Sequence, residues 1–346
     1  MPPLGIEGPQ WGSRTPCDRE LVQIRPGLAA TGGRRHVHPR PVDRLLLMTT
    51  LAATAARAGS WLVDRRRVRP ARAGLAIVGA ALLVLLALYG PGTDATSYWS
   101  FDLAHPYTAA TLSLTGTDAF RYAPPLAYAF LPFHVLSFTA FRVVWMAIEF
   151  ACLAALVGWR WALALVAMYP VTLELSSGNI HLLMALAVAI GFRYPAAWSF
   201  LILTKVTPGI GLLWFAVRRQ WRDLAIALGV TLIIAAVSFA LSPHLWQQWW
   251  VMLGADLSLN MIGDHPYIPI PLWLRLPAAV LVVVWGALHD RPWTVAVAVT
   301  LALPTIWVQS LPVLLGAVPS LIGRPAFKAR PHHAASSPTG DRSLAV

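Results

Sequence analysis

An aspartate lies just after the first long apolar stretch of the chain. Asp94 stands in the segment GTDATSYW, residues 92–99, a few residues beyond the apolar stretch 73–90. A carboxylate held at a membrane surface is able to act as a general base on a hydroxyl group, given a suitable geometry and pKa. The alternative interpretation is a solvated loop aspartate or a helix N-cap. Asp102 and Asp118, in the same loop, are equally suitable on chemical grounds.

A basic residue closes the same loop. Arg121 lies in FRYAPP, residues 120–125, whose two prolines predict a rigid entry into the next helix. A guanidinium group binds phosphate through charge-assisted hydrogen bonds, so Arg121 is a candidate for phosphate binding. The alternative is an interfacial arginine that extends its charge toward water.

A second polar cluster, ELSSGNIH at residues 174–181, lies between two short apolar segments. At membrane depth, non-helical backbone is tolerated only where it lines protein or a wet cavity. Asn179 and His181 are therefore candidate site residues. The alternative is a structural contact between helices through small and amide side chains. The sequence leaves open on which side of the membrane this turn lies.

A third candidate is Lys205, in the segment TKVTPG at residues 204–209, within the apolar run 197–217. An ionisable residue in a membrane segment is costly to bury and indicates a functional site. Pro208 interrupts helical hydrogen bonding beside it and predicts a kink. A lysine next to a helix break suits a lipid phosphate, whereas the alternative is a lysine that extends to the membrane surface.

The composition indicates that these residues belong to a membrane protein. The chain has 346 residues, of which 57% are hydrophobic and 12% charged, with a mean hydropathy of +0.60. Its net charge of +12 is concentrated at the ends: residues 1–72 carry +8 and residues 323–346 carry +3, which leaves +1 for the middle. This distribution disfavours an ordinary soluble enzyme and a nucleic-acid-binding surface.

The sequence lacks the motifs of several other kinds of site. The two cysteines, Cys17 and Cys152, exclude a disulfide framework, and Cys152 in an apolar segment is typical of a small buried hydrophobe. No Cys/His cluster has the spacing of a zinc site. The chain also lacks the glycine-rich motifs of nucleotide sites and the G-x-S-x-G motif of α/β-hydrolases.

The apolar stretches predict an all-α, polytopic bundle of about eight to ten transmembrane helices, several of them tilted or half-crossing. We expect a disordered basic tail at residues 1–72, a membrane domain at residues 73–322 and a second disordered basic tail at residues 323–346. Met48 is an alternative start, and no signal peptide is evident.

The arginines predict the orientation. Basic residues at 65–72 precede the first helix, and a second basic group lies at residues 218–222. By the positive-inside rule both are cytoplasmic, as is the N-terminus. The loops at residues 91–124 and 242–271, the second of which contains His265, are then external. Any chemistry is therefore expected outside the cytoplasmic (plasma) membrane.

In these places the chain resembles glycosyltransferase family 87. The matching pieces are Asp94 followed by Tyr98, the segments AFRYAPP and SGNIHLL, and TKVTP. The basic turn RRQWR at 218–222 and the late PTIW at 304–307 also match, so that the resemblance covers about residues 73–322. Because the order and spacing of the pieces agree, the resemblance is more specific than any one piece.

The resemblance implies a fold of GT-C type and a hexose, mannose above all, carried on polyprenyl phosphate as donor. A loop aspartate, here Asp94, would deprotonate a lipid or glycan acceptor, with inversion at the anomeric carbon. Lys205, with Asn179, His181 and Arg121, would hold the donor phosphate. Further candidates for substrate contact are Tyr98, Tyr122 and His265. No metal or other cofactor and no nucleic-acid partner is implied; the partners are the lipid-linked donor, the acceptor and membrane lipids.

Three alternatives remain at this point. The first is an arabinofuranosyltransferase of the same family. The second is a lipid or solute transporter, which also places ionisable residues at membrane depth, although we find no inverted repeat. The third is a member without activity that has a scaffolding role.

Overall fold

The computed structural model describes residues 65–100, 120–258 and 270–323. Every regular element in these ranges is an α-helix or a 3-10 helix, which confirms the prediction of an all-α polytopic protein. The expected tails and the alternative start at Met48 stay predictions, because residues 1–64 and 324–346 lie outside the described ranges. The first helix begins at Arg65, within the segment expected to be a tail.

The helices follow one another along the chain with short connections. The α-helices are α1 Arg65–Tyr89, α2 Thr93–Ser100, α3 Pro124–Phe130, α4 Phe138–Val157, α5 Trp159–Val166, α6 Tyr169–Ser177, α7 His181–Gly191, α8 Trp198–Thr204, α9 Leu213–Val217, α10 Trp221–Leu241, α11 Pro243–Ser258, α12 Leu272–Leu288, α13 Trp293–Leu301 and α14 Val318–Leu321. The 3-10 helices are Leu131–Val135, Pro195–Ala197, Thr207–Leu212 and Val308–Ala317.

Three of the described helices are long and apolar enough to cross a membrane alone: Val68–Tyr89, Phe138–Val157 and Trp221–Leu241. The α6–α7 pair has the composition of a fourth span but is bent by 108° at its break. Further apolar segments of 10–17 residues are shorter than a full span. The eight to ten apolar stretches of the sequence thus correspond to a few long helices and several short or broken ones.

Glycine and proline account for the breaks. Gly158, with φ of +89°, separates α4 from α5 and adopts a conformation that other residues reach only with strain. Pro195 opens the turn before α8, and Pro208 lies in the 3-10 helix that follows it. Proline donates no backbone hydrogen bond, so a regular α-helix does not continue through it without a defect.

Helix α7 lies at the centre of the fold, and α1 and α10 lie at its periphery. In α7 most side chains are buried, from Leu182 to Val188 and beyond. On the peripheral helices, by contrast, apolar side chains such as Ile77 and Leu232 are 72% and 69% exposed. Apolar surface of this extent suits contact with lipid rather than water. The central helix is therefore the rigid element on which the polar cluster at residues 174–181 is built.

Candidate functional site

Asp94 lies in the first turn of α2, which follows α1 after a tight turn. Gly92, with φ of +59°, donates its N–H to the carbonyl of Ser176 at 2.9 Å. The guanidinium of Arg142 fixes the preceding helix end, because it donates to the carbonyls of Leu86, Ala87 and Gly90 at 2.7–2.8 Å. The aspartate thus lies near a helix N-terminus, where a negative charge is favourable.

The turn between α6 and α7 packs directly against α2. Gly178 has a φ of +72°, and a Cβ atom added there would lie 2.7 Å from the Cβ of Ala95. The indole N–H of Trp145 donates to the carbonyl of Gly178 at 2.8 Å, entirely within the protein. Only glycine fits both the left-handed backbone and the close approach. This contact sets the position of Asp94 relative to the polar cluster.

Asn179 joins that turn to Asp94. Its side-chain amide donates to Oδ2 of Asp94 at 2.9 Å, while its Oδ1 accepts the N–H of Ile180 at 2.8 Å. Burial raises the pKa of Asp94 above that of an ordinary aspartate, and hydrogen bonds from Ser177 and Asn179 act in the opposite direction. Asn179 therefore orients the carboxylate and favours its charged form.

Glu174 caps the N-terminus of α7. Its Oε1 accepts the backbone N–H groups of His181 at 2.6 Å and Leu182 at 3.2 Å. Its Oε2 lies 3.0 Å from Nδ1 of His181. A carboxylate satisfies two free N–H groups here and interacts favourably with the positive end of the helix dipole. The same side chain holds the imidazole of His181 in one orientation.

His181 connects Glu174 to Lys205. Its Nε2 lies 2.9 Å from Nζ of Lys205 and 3.2 Å from Oγ of Ser310. An ammonium group only donates hydrogen bonds, so Nε2 accepts and the ring proton lies on Nδ1, facing Glu174. The hydroxyl of Ser310 accepts the backbone N–H of Trp307 at 3.2 Å and lies beside the same ring nitrogen.

Lys205 lies where α8 ends, so that a helix end stands where Pro208 predicted a kink. Its backbone is extended, with φ of −144° and ψ of 117°. The N–H of Ala123 donates to the carbonyl of Leu203 at 3.3 Å and ties the end of the first loop to the end of α8. Arg121 is thereby brought near Lys205, so that two basic groups share one region of the site.

Tyr98 and Tyr122 lie beneath these polar groups. Both rings are buried, and their hydroxyls form a hydrogen bond of 2.9 Å with each other. The ring of Tyr98 stacks on Phe130 with centroids 4.7 Å apart, and Trp145 packs against its edge. The two tyrosines are thus part of the aromatic core that supports α2.

Exposure divides the site into two layers. Asp94, Arg121 and Lys205 are partly exposed, whereas Glu174, Asn179, His181 and Ser310 are buried. A carboxylate and two cations therefore keep partial exposure, and the buried layer holds Asp94 and Lys205 in place. An arrangement of this kind is able to take a proton from one group and to stabilise negative charge on another.

Sequence reasoning missed the cap formed by Glu174 and also missed Glu149. The carboxyl of Glu149 is buried in α4, near Glu174 and Asp94, and neither oxygen has a hydrogen-bond partner among the described residues. The available signal was a single acidic residue inside an apolar helix, which is costly in a membrane protein.

Some candidates lie outside the described residues. These are His265, a candidate for substrate contact, and the alternative bases Asp102 and Asp118. Within the described ranges, no group of three or more His, Cys, Asp or Glu side chains is placed to hold a metal ion. The expectation that no metal takes part stays a prediction.

Comparisons with known proteins identify the family. The chain matches no curated protein and no solved structure. The family model of glycosyltransferase family 87 matches residues 120–323. This region includes Glu174, Asn179, His181 and Lys205, whereas Asp94 precedes it. Because the match covers more than half of the sequence, the chain belongs to glycosyltransferase family 87 and is a membrane glycosyltransferase.

Proposed function

We propose that this protein transfers mannose from a polyprenyl-phosphate donor to a hydroxyl group of a lipid or glycan acceptor, with inversion, on the outer face of the plasma membrane. The observation that carries the proposal is that Asp94, Lys205 and Arg121, all partly exposed, lie in one region over a buried hydrogen-bonded layer. Such a transfer needs a carboxylate at the acceptor hydroxyl and cations at the donor phosphate.

In the proposed reaction the carboxylate of Asp94 takes the proton of the acceptor hydroxyl. The acceptor oxygen then forms a bond to the anomeric carbon as the bond from that carbon to the phosphate oxygen breaks. The electron pair of the broken bond leaves with polyprenyl phosphate. Lys205 and Arg121 stabilise the negative charge that grows on this phosphate, which lowers the barrier to transfer.

The buried layer supplies positioning. Asn179 holds Asp94 through its 2.9 Å hydrogen bond and is assigned to the base rather than to the phosphate. His181 has both ring nitrogens engaged, with Glu174 on one side and Lys205 and Ser310 on the other. We therefore assign His181 to the orientation of Lys205. Tyr98 and Tyr122, whose hydroxyls bond to each other, support α2 from below.

The identity of the transferred sugar is tested by supplying purified membranes with radiolabelled polyprenyl-phosphate mannose or with the corresponding arabinose donor. We expect labelled glycolipid or glycan from the mannose donor in wild type and none in Asp94→Asn. Label from arabinose alone would show an arabinofuranosyltransferase. Passage of either donor across the membrane without a new glycosidic product would favour a transporter and contradict the proposal.

A further inference from the structure

A second concave site lies at the end of the molecule away from Asp94. A cavity of about 330 Å³ opens where α4 turns into α5, beside the start of α1. Two arginines and two tryptophans dominate its lining, which is formed by Arg72, Val157, Gly158, Trp159, Arg160 and Trp161. None of these residues is part of the network around Asp94 and Lys205.

Helix lengths place this cavity at the opposite membrane surface. Arg72 and Tyr89 are separated by 17 residues of α1, or roughly 26 Å at 1.5 Å per residue, and Asp94 follows just beyond the far end. On α4, Trp145 contacts the turn at Gly178, whereas Val157 lies about three turns further along. A separation close to the thickness of a bilayer core is the one expected of two sites that face different leaflets.

The arginines are held by aromatic rings. The guanidinium of Arg72 lies 5.5 Å from the ring centroid of Trp161, and that of Arg160 lies 5.2 Å from the ring centroid of Trp159. A guanidinium above an aromatic ring keeps the N–H groups in its own plane available for other partners. Neither arginine side chain forms a hydrogen bond or an ion pair with another residue that the structure describes.

The cavity is also bordered by a lipid-facing surface. Leu75, one turn along α1 from Arg72, is 38% exposed, and the apolar side chains that follow on this helix are largely exposed as well. Trp159 and Trp161 are 61% and 43% exposed, as is typical of tryptophan at a membrane interface. A molecule bound here would meet cations at its head and apolar surface along its tail.

We propose that this cavity binds the phosphate of an anionic phospholipid headgroup in the leaflet opposite the Asp94 site. The planar donor edges of Arg72 and Arg160 match the oxygens of a phosphodiester, and none of the described residues that line the cavity is acidic. The acyl chains lie against the exposed face of α1. A free phosphate ion would lack this second contact and is expected to bind far more weakly.

Native mass spectrometry of the full chain in detergent tests the proposal. Phosphatidylglycerol is titrated into wild type and into the double variant Arg72→Gln/Arg160→Gln, with phosphatidylcholine as the neutral lipid. We expect retention of phosphatidylglycerol to weaken about tenfold in the double variant, because two charge-assisted hydrogen bonds are lost. The charge-conserving Arg72→Lys/Arg160→Lys variant should recover part of the affinity.

Arg193→Gln is the matched control. The guanidinium of Arg193 lies 5.6 Å from the ring centroid of Tyr194, so this variant loses one charge and one similar stacking contact elsewhere. We expect it to retain phosphatidylglycerol as wild type does. Thermal midpoints are measured for every variant. If the double variant unfolds, the single variant Arg160→Gln replaces it, because Arg160 is exposed.

Three results would overturn the proposal. They are equal retention of phosphatidylglycerol by wild type and the double variant, an equal loss in Arg193→Gln, and equal retention of phosphatidylcholine and phosphatidylglycerol by wild type. Displacement of the lipid by millimolar inorganic phosphate would instead assign the cavity to a free anion. None of these readouts depends on transfer activity, so the proposed function is tested separately.

Discussion

At the scale of single residues, the proposed chemistry depends on two side chains of opposite charge. Asp94 is oriented by Asn179, and Lys205 is oriented by His181. Each reactive group is partly exposed and each partner is buried. In the proposed site the partners therefore tune the charge and direction of the two reactive groups. This division of roles gives separate predictions for the base and for the cation.

The acid side of the pH–rate profile reports on the base. Burial raises the pKa of Asp94, and only the deprotonated carboxylate accepts a proton. We expect kcat/KM to fall with decreasing pH at a pH above the ordinary aspartate value of about 3.9. Asn179→Ala removes a hydrogen bond that favours the charged form, so the fall should move to higher pH. Gln247→Ala, at an exposed position of α11, should leave the profile unchanged. An unchanged profile in Asn179→Ala would contradict the assignment.

The role of Lys205 is tested by measuring kcat and KM separately for the donor and for the acceptor. Lys205→Ala should lower kcat/KM for the donor by about tenfold or more, because a charge-assisted contact to phosphate is lost. The KM for the acceptor should change little. Lys205→Arg keeps the charge and should recover part of the activity, whereas an equal loss in Lys205→Arg and Lys205→Ala would indicate a merely structural role.

The buried carboxyl of Glu149 is expected to lower the stability of the folded protein. Its carboxyl has no hydrogen-bond partner among the described residues, and such a group destabilises a folded protein by about 1–3 kcal/mol. We expect Glu149→Met to raise the thermal midpoint in detergent. Ile148→Met, at the preceding residue of α4, is the control and should change the midpoint little. A lower midpoint in Glu149→Met would show that the carboxyl makes a stabilising interaction.

At the scale of elements, the site depends on how closely α2 approaches the turn between α6 and α7. Gly178→Ala adds a methyl group 2.7 Å from Ala95 and strains a backbone with φ of +72°. The backbone alone costs about 1–2 kcal/mol, and the methyl group displaces Asp94 from Asn179. We expect lower stability and a loss of kcat/KM that persists well below the thermal midpoint.

Gly286→Ala is the control for that variant. Its added Cβ would lie 1.8 Å from Oγ1 of Thr294, so it also disturbs a close helix contact, but one between α12 and α13. It should lower stability while the folded fraction keeps its kcat/KM. If both variants retained full activity per folded molecule, the contact between α2 and the turn would not position the base.

The sequence predicted those parts of the site that depend on residues close together in the chain. The polar run at residues 174–181 implied a broken segment, and Pro208 implied a helix end near Lys205; the structure has both. Glu174 and His181 are only seven residues apart, so their contact follows from the turn itself. Asp94 and Asn179 are 85 residues apart, and His181 and Ser310 are 129 apart. Contacts across such separations depend on tertiary packing, which one sequence does not specify.

At the scale of the whole molecule, the chain combines a few long helices with several short ones around a buried α7. The number of apolar stretches in the sequence does not fix the number of membrane crossings, because glycine and proline divide the stretches into shorter helices. Neighbouring helices supply hydrogen-bond partners to the backbone groups that these breaks leave free. The long helices α1 and α4 separate the Asp94 site from the cavity at Arg72. One end of the molecule thus carries the proposed transfer site and the other carries the proposed lipid site.

The most direct test of the central claim is the initial rate of mannose transfer from radiolabelled polyprenyl-phosphate mannose in purified membranes. Wild type is compared with Asp94→Asn and with Asp290→Asn, the same change at an exposed residue that pairs with Arg218. We predict that Asp94→Asn lowers the rate by about 10²–10⁴-fold while Asp290→Asn retains it. Full transfer by folded Asp94→Asn would contradict the account and turn attention to Asp102 and Asp118.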